Sequence, residues 1–209
     1  MLNIAVLVSG GGTNLQALID SERAGGLGKG KIVRVISSRP GVYALERAAN
    51  AGIDTAVVSR RDFDSPEAYD RAILAELQSC GAQLIVLAGF LSILGGEVIR
   101  AYPNRIINIH PALIPSFCGK GYYGLKVHEA ALAKGVKVTG ATVHFVNEVP
   151  DGGAIILQQA VRIEEGDTPE LLQRRVMEQA EWKLLPQAVR LFCDGKIQVT
   201  GNTTHILEG

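Results

Sequence analysis

Cysteine is scarce in this sequence. Three residues in 209, at positions 80, 118 and 193, with no Cys-x-x-Cys spacing, argue against a disulfide framework and against a cysteine-built zinc site. No charge of either sign predominates: 21 basic side chains balance 21 acidic ones. A nucleic acid or a membrane surface is therefore not expected as the main partner, and any anion site must be local. There is no apolar run of membrane-spanning length and no basic lead followed by a cleavage site, which fits an unprocessed cytoplasmic protein. Repeats and low-complexity segments are missing as well.

What is present suits one well-formed core. The chain is 47% hydrophobic and 20% charged, and its length is too short for two full-sized domains with linkers. One domain over 1–200 is expected, followed by a loosely held tail over 201–209 in which only Ile206 and Leu207 are apolar. Short β-branched runs at 3–8, 31–36, 55–58, 83–88 and 105–109 alternate with longer helical stretches. That pattern predicts an α/β fold: a Rossmann-like, mostly parallel twisted sheet with helices on both faces. Two later runs, 137–146 and 154–163, read as longer antiparallel strands. Asp64-Ser65-Pro66-Glu67 marks the start of a helix reaching about Cys80. Thr168-Pro169-Glu170 opens a last helix with apolar residues at 172, 176, 180 and 184, up to an interruption or kink at Pro186.

The first strand runs into Ser9-Gly10-Gly11-Gly12-Thr13-Asn14 and then into a helical stretch. Glycines let the backbone approach an anion, and the free N–H groups and dipole of a helix start favour its charge, so this turn is a candidate phosphate cradle. It is neither a Walker loop nor a complete dinucleotide fingerprint. A literal fingerprint does occur at Gly119-Lys120-Gly121-Tyr122-Tyr123-Gly124, but it follows no strand and reads as a flexible surface loop.

The most informative segment is Asn108-Ile109-His110-Pro111-Ala112-Leu113-Ile114-Pro115, at the end of the fifth strand. Residues two apart on a strand share a face, so Asn108 and His110 converge while the prolines fix the exit of the chain. Asp151-Gly152-Gly153, between the two late strands, puts a carboxylate on a turn. Alone it is weak, because Asp-Gly is a common hairpin turn.

Taken in order, Ser9 to Gln16, Ala88-Gly89-Phe90, Asn108 to Pro111, His144-Phe145-Val146 and Asp151-Gly152-Gly153 resemble the glycinamide ribonucleotide formyltransferases, a folate-dependent formyltransferase family of purine (IMP) biosynthesis. The resemblance covers residues 1 to about 196. It implies transfer of a formyl group from 10-formyltetrahydrofolate to the amine of glycinamide ribonucleotide, with no metal, in a monomer or homodimer. It also implies that Asn108 and His110 donate to the tetrahedral oxyanion, and that Asp151 keeps His110 protonated and accepts the proton lost by the amine. By the same resemblance Gly11, Gly12, Thr13 and Asn14 bind the substrate phosphate, and Glu181 its ribose-phosphate end. Leu91, Ser92, Ile93 and Leu94, with Asn108, belong to the folate pocket, and His144 is structural or supporting. Formyltransferases acting on methionyl-tRNA and deformylases of formyltetrahydrofolate share this core and carry extra domains.

Three departures bear on detail. Ser92 stands where many relatives carry arginine, Trp182 where histidine is frequent, and Glu178 where some have lysine near the phosphate. The stretch 116–123 is longer than in the best-known relatives and reads equally as a flap over the substrates or as a surface insertion. The rival readings are an amino-sugar nucleotide formyltransferase, a formate-releasing hydrolase and a nonenzymatic nucleotide-binding module. The last leaves Asn108, His110 and Asp151 without a reason.

Overall fold

The apolar runs become a seven-stranded sheet. The computed structural model describes residues 1–207. Its strands are β1 (Leu2–Val8), β2 (Gly30–Ser37), β3 (Asp54–Val57), β4 (Leu84–Leu87), β5 (Ile106–His110), β6 (Val138–Phe145) and β7 (Ile155–Arg162), in the spatial order β3-β2-β1-β4-β5-β6-β7. The first five pair in parallel, whereas β5–β6 and β6–β7 are antiparallel. The order reverses at β1, whose neighbours are β2 and β4. In open α/β sheets this is where the connecting loops diverge and leave a crevice.

Alternation along β1 divides the core. Ile4, Val6 and Val8 face α1 (Thr13–Arg23) and α7 (Trp182–Cys193), while Ala5 and Leu7 face α3 (Pro66–Ser79) and α4 (Gly96–Ala101). Burial of each large aliphatic side chain contributes about 2 kcal/mol. The two edge strands are the exposed ones, β3 at Asp54, Thr55 and Val57 and β7 at Gln158, Ala160 and Arg162.

Both helix starts marked in the sequence form as read. Ser65 Oγ accepts from the Ala68 N–H at 3.1 Å ahead of α3, and Thr168 Oγ1 accepts from the Leu171 N–H at 3.3 Å ahead of α6 (Pro169–Val176), with proline at the first helical position each time. The helical stretch beyond α6 is broken elsewhere than expected. Met177–Glu181 adopt π-helical turns, and α7 then runs through Pro186 to Cys193. Pro186 is buried among Leu184, Leu185, Ala188 and Val189, and this packing outweighs the one lost backbone hydrogen bond.

The tail expectation is corrected over 203–206. β8 (Ile197–Thr200) and β9 (Thr203–Ile206) form a hairpin, and Thr204 Oγ1 donates to the Ile155 carbonyl at 2.6 Å, docking it on β7. Residues 208–209 lie outside the described residues.

His128, on α5 (Leu125–Lys134), is fully buried, and among the described residues neither of its ring nitrogens has a hydrogen-bond partner. Burial, with a smaller contribution from His110, takes its pKa down to about 4 from 6.5. Between those values the unfolded chain binds more protons than the folded one, so stability falls as pH drops through the window, by up to ~3 kcal/mol. His128→Phe removes this loss. Comparing urea unfolding of the two proteins at pH 7 and pH 4.5, the wild type should lose roughly 1–3 kcal/mol more than the variant at the lower pH. Equal losses would refute the assignment.

Candidate active site

The loops at the carboxyl edge of the sheet are tied together by Ser9. Its hydroxyl shares a 2.6 Å hydrogen bond with Ser38 Oγ, after β2, and accepts from the Leu91 N–H at 2.8 Å, after β4. Sequence reading treated Ser9 only as the first residue of a motif.

The glycine turn is shaped by space as much as by conformation. Gly12 has φ 73°, in the left-handed region, and a Cβ there would approach Ala44 Cβ to 2.7 Å and its Cα to 2.9 Å. Thr13 opens α1 with no side-chain cap and no acidic residue in the first turn, leaving donors open at the helix start. Asn14 Nδ2 donates to Glu181 Oε2 at 2.6 Å, and Asn14 Oδ1 is buried with no donor to it among the described residues. Burial raises the Glu181 carboxyl to about 7 despite that donation. Glu181 ends the π-helical segment, whose wider turn sets its position relative to Asn14. Glu178 instead faces Arg174 at 2.7 Å, and Arg175 Nη2 donates to Asp167 at 2.7 Å, so both arginines of α6 are engaged by acids of their own region.

Four polar groups converge beyond the glycine turn. Asn108 pairs with His144 across β5 and β6, and His110 with Thr142, so all four side chains share a face. His144 Nδ1 lies 2.7 Å from the Phe145 carbonyl and must donate to it, while Nε2 lies 3.1 Å from Asn108 Nδ2 and 3.5 Å from Asp151 Oδ1. In the neutral ring, therefore, Nε2 accepts from the Asn108 amide. His110 Nε2 donates to the Phe117 carbonyl at 2.8 Å, leaving Nδ1 3.7 Å from Asp151 Oδ2. Burial lowers the His110 pKa, with the Asp151 charge and the Phe117 carbonyl opposing it only in part. The Asp151 pKa also ends below its ordinary value: burial raises it, but the His144 ring beside it, the Gly119 N–H and then His110 together outweigh burial.

Asp151-Gly152-Gly153 is not the simple glycine turn expected. Asp151 itself takes the left-handed conformation, φ 54°, which aspartate tolerates better than most residues. Gly153 is required by space, since a Cβ there would run into the Phe145 carbonyl. The 116–123 stretch turns into the site: Phe117 holds His110, and the Gly119 N–H donates to Asp151 Oδ2 at 2.7 Å.

Two cavities meet at Asp151. One, of about 160 Å³, is walled by Leu87, Phe90, Ser92, Ile93, Leu94, Ile99 and Val146, with Asn108 and His144 at its polar end. Leu91 is half-exposed and outside this lining. The other, of about 610 Å³, lies between the 114–118 loop, the 150–155 segment and the 202–204 turn of the C-terminal hairpin.

Thr142 and Gln158 were missed from the sequence because neither falls in a motif. The fully buried Thr142 hydroxyl donates to the Ala112 carbonyl at 2.7 Å and accepts from the Ile114 N–H at 3.1 Å and from Gln158 Nε2 at 2.9 Å. The turn that follows His110 is thereby clamped to β6. Thr142→Val leaves these groups unpaired and should cost ~1–3 kcal/mol in urea unfolding. An unchanged midpoint would remove the clamp. Glu181 makes a second prediction. Its folded-state pKa is raised, so its stabilising contribution is present below 4.5 and lost as pH rises through about 7. Glu181→Gln should therefore be at least as stable as wild type at pH 8 and relatively less favoured at pH 5, as read by thermal midpoints. The opposite trend would contradict a buried neutral acid.

Comparison with known proteins identifies the family. A family model described as formyl transferase matches residues 2–189. Phosphoribosylglycinamide formyltransferase of Escherichia coli is 39% identical over 205 residues, covering 98% of this chain and 93% of that protein. The chicken trifunctional purine biosynthetic protein adenosine-3 is 43% identical over 95% of this chain, which spans only 19% of that longer protein. The crystal structure of glycinamide ribonucleotide transformylase 1 from Symbiobacterium toebii superposes with a TM-score of 0.94 at 44% identity, covering 100% of this chain and 95% of that one. The chain belongs to the formyl transferase family, in its phosphoribosylglycinamide formyltransferase branch.

Proposed function

We propose that this chain moves the formyl group of 10-formyltetrahydrofolate onto the amine of glycinamide ribonucleotide, giving the N-formyl product and tetrahydrofolate for purine biosynthesis. One observation carries the reading: the Asp151 carboxylate lies between His110 and His144, with Asn108 on the same sheet face at the polar end of an apolar cavity. The turn and the start of α1 supply donors for the phosphate, Asn14 and Glu181 face the ribose, and the cavity walls at Ile93 and Leu94 pack against the flat pterin. Ser92 offers no cation to the folate's glutamate tail.

The amine nitrogen attacks the formyl carbon, and the carbonyl electrons move onto oxygen. Asn108 Nδ2 and His110 donate to that oxygen in a partly buried site, where fixed donors are most effective. Collapse breaks the bond to N10 of the folate, N10 gains a proton and the amine loses one. Asp151, ionised at neutral pH, accepts the amine proton directly or through water. His110 enters differently from the sequence expectation. Burial outweighs the carboxylate 3.7 Å away, so the ring is neutral at pH 7 until charge develops on the oxygen beside it. The Phe117 carbonyl and the Gly119 N–H must give up His110 and Asp151 to the substrates.

Mixing the protein with a 10-formylfolate donor, with and without glycinamide ribonucleotide, tests the assignment by the folate absorbance change. Product only with the amine supports transfer. Product without it indicates a hydrolase, and none in either case leaves a binding module. Asp151→Asn should keep both KM values within a few-fold and lower kcat by at least roughly a hundredfold. Asn108→Ala and His110→Ala should each cost roughly a hundredfold or more. Unchanged turnover in any of the three would remove that residue's role.

A further inference from the structure

The arginines of α6 are occupied by acids, yet one guanidinium does reach the glycine turn. Arg47, on α2 (Tyr43–Asn50), donates from Nε to the Gly11 carbonyl at 2.9 Å and from Nη1 to Gln16 Oε1 at 2.9 Å. Its guanidinium stacks over the Tyr43 ring, 4.7 Å from the centroid. One turn earlier the Ala44 N–H donates to the Gly10 carbonyl at 3.2 Å. Helix α2 thus holds two successive carbonyls of the turn.

We propose that Arg47 is a positioning residue for the acceptor's phosphate, clamping the Gly11–Gly12 peptide so that its N–H faces the anion. This rests on the reading that the turn binds the phosphate. In a planar trans peptide the C=O and the N–H point in opposite directions. Turning the Gly10 and Gly11 carbonyls toward α2 therefore turns the Gly11 and Gly12 N–H groups away from it. Among the described residues neither N–H has an acceptor. A peptide between two glycines meets little steric resistance to flipping, and a flip would aim the Gly11 carbonyl at the phosphate. Nothing lies within 4 Å of a Cβ built on Gly11, so packing against Ala44 fixes only the Gly12 end of this peptide, and the guanidinium holds the Gly11 carbonyl. The two donors act as a rigid fork, binding Gly11 on one arm and Gln16, in the first turn of α1, on the other. A lysine in its place would keep the charge but lose the fork.

Steady-state kinetics of wild type, Arg47→Lys and Arg47→Ala test this, with glycinamide ribonucleotide and its 5′-dephosphorylated nucleoside as acceptors. In both variants KM for the ribonucleotide should rise roughly tenfold, with kcat and KM for the formylfolate changing less than about twofold and the thermal midpoint unchanged. The nucleoside, lacking the phosphate, should lose nothing further. If wild type does not discriminate between the two acceptors, the phosphate reading of the turn fails. If wild type discriminates but Arg47→Lys keeps the wild-type KM, the clamp fails and charge alone suffices. A matched loss on both acceptors, or a fall in kcat with melting temperature, would make Arg47 merely structural and overturn the proposal.

Discussion

A carboxylate held between two buried imidazoles is the constraint around which the site is arranged. Asp151 lies 3.7 Å from His110 and 3.5 Å from His144, and those rings are 4% and 1% exposed. Burial alone would push protons onto Asp151 and off His110. The site settles that competition by setting the carboxylate against the His144 ring and the donating Gly119 N–H, and leaving His110 to burial. The outcome is an ionised base beside a neutral ring, the pairing that can take a proton from an amine while a second group answers a developing negative charge.

Keeping that arrangement requires an unusual backbone. Asp151 sits at positive φ, Gly153 lies against the Phe145 carbonyl with no room for a side chain, and Phe117 also sits at positive φ as its carbonyl turns to His110. Strain of this kind persists where the surroundings over-determine it. Here they do so through the Thr142 clamp on the turn after His110 and the antiparallel pairing of β6, which runs back past Asn108. The antiparallel strands are thus part of the chemistry: β6 sets His144 beside Asn108, and the segment after it folds back so that Asp151 meets both imidazoles.

The same edge carries a second, separately built polar region. Glu181 is buried near neutrality and held by Asn14, and Ser9 joins the turns after β1, β2 and β4. Burying an acid, together with a histidine at position 128 that has no partner among the described residues, costs stability that a structural core would avoid. The two opposing apolar faces of the sheet offset that cost.

The sequence by itself determined the elements and the chemistry they carry. The seven strands of the main sheet follow from apolar runs, near-continuous in the central strands where both faces are buried and broken by exposed residues in the edge strands β3 and β7, and both helix starts follow from Ser/Thr-Pro-Glu. Asn108 and His110 were legible as a pair, since strand alternation is a local rule. The glycine turn was legible because backbone freedom is written in glycine. Only the tertiary structure decided which distant groups meet. His144 between Asn108 and Asp151, Thr142 and Gln158 on the turn after His110, and Arg47 on the glycine turn all depend on contacts between elements far apart in the chain. The π-helical turn at Met177–Glu181 and the docked hairpin at Thr203–Ile206 escaped for a related reason: each is stabilised by packing on other elements, which no local pattern encodes. The state of His110 belongs there too, because the balance between burial and a neighbouring charge is settled only when the fold has fixed both.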